Sequence, residues 1–173
     1  SDSVTKTRSF GPDAFASPYG ALGRVCELEV EYALTPAHPR PAPIPVPDGA
    51  AWVPIVPAPL GEDGKAVDAL LDAGIDGLVI DGVGAGHVPE RMVAAVDRAA
   101  RRIPVVMASR TGRGRTGRNT YGYPGAEIDL LQRGVLMAGR LTAVQSRLLL
   151  WSLIASGAGD RDTVRAEFER RGR

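Results

Sequence analysis

The chain has 173 residues, long enough for one sizeable core or for one domain with a shorter appended segment. Its 21 basic and 20 acidic side chains leave a net charge of +1, so no whole-chain field steers it toward nucleic acid or an anionic membrane. A lone cysteine, Cys26, excludes an internal disulfide and any multi-cysteine zinc site, and reads as a small half-buried strand residue. No apolar run approaches the length of a membrane-spanning helix, and the opening SDSVTKTRSF lacks the apolar core of a signal peptide, so a soluble, cytoplasmic protein is expected.

Residues 1–24 are punctuated by Gly11-Pro12, Ser17-Pro18 and Gly20 and read as loop with at most one helical turn. Val25 to Leu34 alternates apolar and acidic residues, the period of a half-exposed edge strand or the second arm of a hairpin. The residues before it supply no clear mate, so the mate is expected in another chain or upstream. Prolines at 36, 39, 41, 43, 45 and 47 then force extended backbone and remove ladder donors, which marks a linker and a boundary near residue 50.

From Ala51 strand and helix alternate. Trp52 to Val56 reads as a strand, Lys65 to Ala73 as a helix ending at Gly74, and Leu78-Val79-Ile80 as a second strand. Helix Glu90 to Arg102 places Met92, Val93, Val96, Ala99 and Ala100 on one stripe. Val105 to Met107 is the third strand, Ala126 to Arg133 a short helix, Gly134 to Met137 the fourth strand, and Thr142 to Ser156 and Arg161 to Arg171 the last helices. Short connections between such elements imply right-handed crossovers and a small flavodoxin-like α/β layer: a four-stranded parallel sheet with helices on both faces.

The stretch Asp76 to Pro89, DGLVIDGVGAGHVP, runs from strand through a glycine-rich turn into a helix start. Ligands of open α/β sheets bind beyond the carboxyl ends of strands, which makes His87 the first site candidate; its other reading is a helix N-cap or turn residue. The loop lacks the third glycine of the dinucleotide fingerprint. A second loop, Ser109 to Asn119, does hold G-x-G-x-x-G at Gly112, Gly114 and Gly117 with four interleaved arginines, yet Thr120 to Gly125 separates it from the helix a phosphate cradle needs. A solvated, flexible loop is the simpler reading. Both loops leave strand carboxyl ends and so share one edge of the sheet. Glu127 starts the next helix there, where a carboxylate is ordinarily dipole decoration, and Lys6 in VTKT reads as a surface charge. His38 and His87 lie in separate segments, and no close carboxylate pattern makes them metal ligands.

Taken in order, VTKT, DAFASPYGALG, DAGIDGLVIDGVGAGHVP, PVVMASR and AEIDLLQRGVLMAGRLTAVQSRLLL resemble the carboxy-terminal half of the bacterial L-asparaginase (asparaginase/glutaminase) family. The resemblance covers nearly the whole chain. It implies a remnant of the larger amino-terminal α/β domain at 1–35, the linker at 36–50 and the smaller domain at 51–173. It also implies hydrolysis of the side-chain amide of asparagine to aspartate and ammonia without a cofactor or metal, in a homo-oligomer, dimer or tetramer. Lys6 matches the lysine of the family's threonine-aspartate-lysine triad, whose other members and nucleophile belong to segments absent from this sequence. His87 and Glu127 match small-domain residues that complete the active site of a neighbouring subunit, Glu127 by binding the substrate's α-amino group. Asn or Ser also occurs in the family at the place of His87. The competing expectation is a free-standing amino-acid-binding module without catalysis.

Overall fold

The computed structural model describes residues 4–11, 13–17, 20–35, 37 and 41–173. His38 and the start of the proline-rich run lie outside them. Two compact units are present, Ser1–Ala42 and Pro43–Arg173.

The first unit is not the loop and lone strand expected. Strand β1 (Thr5–Lys6) pairs antiparallel with β2 (Phe15–Ala16), and β3 (Gly23–Cys26) pairs antiparallel with β4 (Glu29–Tyr32). The segment Val25 to Leu34 therefore carries its own turn, and β4 finds its mate next to it in the chain. Glu27 and Leu28 form that turn with φ of 49° and 73°, the double positive φ of a tight two-residue hairpin loop. Asn-Gly ordinarily advertises such a turn, and Glu-Leu hid it inside an unbroken alternation. Cys26 sits on β3 and is exposed, not half-buried.

In the second unit the sheet consists of β5 (Ile55–Pro57), β6 (Leu78–Gly82), β7 (Val105–Ser109) and β8 (Leu136–Met137), all parallel and ordered as in the sequence. The first strand starts later than expected. Pro54 has no N–H to donate, and its carbonyl meets Val79 N–H at 3.0 Å before the ladder proper begins. Helix α1 (Lys65–Asp72) joins β5 to β6, a 3-10 turn (Glu90–Met92) and α2 (Val93–Arg102) join β6 to β7, and α3 (Glu127–Gln132) precedes β8. Helices α4 (Ala143–Ala155) and α5 (Arg161–Arg171) follow.

Each crossover steps one strand further in the same direction, and with the usual right hand this keeps α1, α2 and α3 on one face. The core confirms it. Leu78, Ile80, Val105 and Met107 pack with Val67, Val96 and Leu130 of those helices, while the alternate residues Val79, Val106 and Leu136 pack with Leu150 and Leu153 of α4 and Phe168 of α5. Strands covered on both faces read as unbroken apolar runs for this reason. Ile44 packs on the α4 side and Gly49 N–H donates to Ala155 O at 3.1 Å, so the later part of the proline-rich run lies against this unit. Among the described residues no helix is long and apolar enough to cross a membrane, and no cluster of His, Cys, Asp and Glu is placed to hold a metal ion.

Candidate functional site

At the carboxyl end of β6 the chain closes on itself: Val83 N–H donates to His87 O and His87 N–H to Val83 O, both at 3.0 Å. Gly86 turns this loop with φ 98°, and a Cβ there would lie 3.0 Å from Met107 Cγ, so only glycine keeps the loop flat on β7. His87 is thereby held at the rim of the sheet with its ring turned inward, 8% exposed. It does not cap the following 3-10 turn, whose N-cap position is Pro89.

The loop after β7 is laid onto the first. Ser109 Oγ donates to Gly84 O at 2.6 Å, Arg110 N–H to Gly82 O at 3.0 Å, and Gly117 N–H to Ala85 O at 2.7 Å. Thr116 is buried between them and exchanges bonds with Gly139. The loop is anchored at both ends, with its exposed arginines between, and its glycines open no helix.

Glu127, the first residue of α3, is wholly buried. Its Oε1 accepts the backbone N–H of Thr120 and of Tyr121, each at 2.7 Å, and its Oε2 lies 2.8 Å from His87 Nε2. On the other side of the ring, Tyr123 Oη lies 2.8 Å from His87 Nδ1. Tyr121 and Tyr123 both stand edge-on to the imidazole, with centroids 5.4 and 5.5 Å away. Gly117 is what admits the carboxylate, since a Cβ there would lie 3.1 Å from Glu127 Cδ. Asp129 braces the same turn, accepting Gly125 N–H at 2.9 Å, while Gly125 O accepts Val88 N–H at 2.9 Å.

Two of the sequence candidates, His87 and Glu127, are thus in direct contact across forty positions. Lys6 belongs to the other unit, where its Nζ stands 5.7 Å from the centre of the Phe15 ring and, among the described residues, makes no hydrogen bond or ion pair. Tyr123 escaped sequence reasoning because nothing in YGYP distinguishes a ring that meets an imidazole from one that lines a turn.

Residues 53–168 match the family described as the glutaminase/asparaginase C-terminal domain. The chain belongs to that family. A probable L-asparaginase of Deinococcus radiodurans is 35% identical over 172 residues, covering 95% of this chain and 50% of that protein. The probable periplasmic L-asparaginase of Haemophilus influenzae is 32% identical over 172 residues, 96% of this chain and 47% of that one. A component of the glutamyl-tRNA(Gln) amidotransferase of Aeropyrum pernix is 33% identical over 107 residues, 61% of this chain and 24% of that protein. The chain spans about half the length of the L-asparaginases it matches.

Within this asparaginase-family domain two carboxylates at the sheet edge are perturbed in opposite directions. Burial pushes the Glu127 carboxyl up, but the backbone N–H groups of Tyr121, Glu127 and Thr120, with His87, outweigh it and hold Glu127 below its ordinary range. Asp81, at the end of β6, is raised because burial there is only partly offset by the Arg110 guanidinium. A depressed carboxyl contributes stability that is fully present above its unfolded value, about 4.3, and is lost as pH falls through the folded value. Wild-type protein should therefore be more stable than Glu127→Gln at neutral pH, and the gap in melting temperature should narrow as pH falls below about 4.3 and through the lower folded value. Thermal melts across that range check it, and a constant gap would show that Glu127 is not ionised in the fold.

Proposed function

We propose that this chain is the carboxy-terminal portion of an L-asparaginase-type amidohydrolase that converts L-asparagine to L-aspartate and ammonia, with His87 and Glu127 at an edge that completes the active site of a neighbouring subunit. Lys6 is the residue of this chain that would join the catalytic group. The observation that carries the reading is a buried, ionised carboxylate bonded to an imidazole at the carboxyl edge of a parallel sheet, in a domain of this family. A buried carboxylate supplied with fixed donors is the feature that discriminates in favour of a cationic ligand group. Two relatives named L-asparaginase match 95% and 96% of the chain, which supports asparagine as the amide.

The test is ammonia release from L-asparagine by the protein purified at its natural length, with L-glutamine in parallel. Ammonia and L-aspartate should appear in equal amounts. An enzyme-free baseline with both amides would sink the amidohydrolase reading.

A further inference from the structure

The two helical layers part where the sheet ends. β8 is the outermost strand, and among the described residues no strand covers its outer side. A cleft of about 250 Å³ opens there, bounded by α3, β8 and α5, with Leu131, Leu136 and Phe168 as its apolar lining. Only Leu136 and Met137 of β8 pair with β7, so an added peptide strand would find a short ladder. The cleft is sized for a small molecule instead.

Its polar lining comes from Arg118, Arg165 and Glu169. On α5, Arg165 lies three positions before Phe168 and Glu169 one after it, so the three share one side of that helix. Arg165 is exposed and, among the described residues, makes no hydrogen bond or ion pair. Arg118 Nη1 and Glu169 Oε1 stand 4.0 Å apart, within reach of an ion pair but beyond hydrogen-bond length. Two guanidinium groups and one carboxylate, none of them closely paired, thus meet at an apolar floor.

A guanidinium fork holds a carboxylate through charge-assisted bonds, and a carboxylate holds an ammonium group in the same way. The floor offers no polar partner to an amide or a second carboxylate, so it disfavours asparagine and aspartate and suits a hydrocarbon side chain.

We propose that this cleft is a second ligand site, which binds a free α-amino acid with an aliphatic side chain. Arg165 and Arg118 hold its carboxylate, Glu169 its ammonium group, and Leu131, Leu136 and Phe168 its hydrocarbon. The site shares no residue with the His87–Glu127 pair, and it stands whether or not that pair serves amide hydrolysis.

Calorimetric titration of the natural-length protein with L-leucine tests it, beside 4-methylpentanoate, which lacks the ammonium group, and 3-methylbutylamine, which lacks the carboxylate. L-Leucine should bind saturably at one site per chain, and each analogue should bind about tenfold or more weakly. Glu169→Gln should remove most of the advantage of L-leucine over 4-methylpentanoate, and Arg165→Gln most of its advantage over 3-methylbutylamine. Both residues are exposed, so the melting temperatures of the variants should stay close to that of the parent protein. Excess L-aspartate should not displace L-leucine. No saturable L-leucine binding up to millimolar concentration, analogues that bind as well as L-leucine, binding that both variants leave intact, or displacement by L-aspartate would each overturn the assignment.

Discussion

Purified as these 173 residues alone, the protein should release no measurable ammonia from L-asparagine. An acyl-transfer route needs a hydroxyl nucleophile with a base beside it and a group that orients the base. Among the described residues no Ser or Thr hydroxyl is hydrogen-bonded to an imidazole or an amine: Thr7 bonds Ala14 O, Thr116 bonds Gly139 N–H, Ser109 bonds Gly84 O, and Ser146 has no partner. Thr163 meets the Asp160 carboxylate, but that pair closes the first turn of α5, where Asp160 is the N-cap. Lys6 faces an aromatic ring rather than a hydroxyl or an aspartate. Tyr123 does meet an imidazole, but the neighbouring backbone donors that could steady an oxyanion, Thr120 N–H and Tyr121 N–H, are engaged by Glu127. A sensitive coupled assay for ammonia on rigorously purified chain decides the matter. Turnover that follows the chain through purification and survives removal of trace contaminants would refute it. Turnover appearing only when the larger domain typical of the family is supplied would support a shared active site.

Much of the fold was legible because both faces of the sheet are covered. Runs such as Leu78-Val79-Ile80 and Val105-Val106-Met107 have no polar alternation to confuse, and Gly74 and Pro104 punctuate the helices before them, so the order of strands and helices could be read directly. The first unit was misread for the complementary reason. Val25 and Val30 lie on paired strands whose side chains stay exposed, and an alternation that runs across Glu27-Leu28 cannot reveal that the chain reverses there. At the site, a parallel sheet was enough to put the loops after β6 and β7 on one edge. It was not enough to show that the Glu127 carboxylate reaches back to His87, because that contact depends on Gly117 leaving space and on Thr120 and Tyr121 turning their N–H groups inward. Backbone donors carry no residue signature.

Replacing Glu127 by Gln should weaken productive binding of L-asparagine by about 1.5–3 kcal/mol in the natural-length enzyme, a tenfold to hundredfold rise in KM where the effect is on binding. The shape is kept, and the new amide oxygen can still take the N–H groups of Thr120 and Tyr121. Its NH2 then faces His87 Nε2 as a donor where the carboxylate could only accept, and the negative charge that favours an ammonium group is gone. Were Glu127 no more than a favourable charge at the start of α3, the same change would cost a few tenths of a kcal/mol of stability and leave the kinetics alone. Steady-state kinetics on L-asparagine for both proteins, beside their melting temperatures, separate the two cases. A slightly lowered melting temperature with unchanged KM and kcat would leave Glu127 a structural residue and break the link from its charge to the ligand.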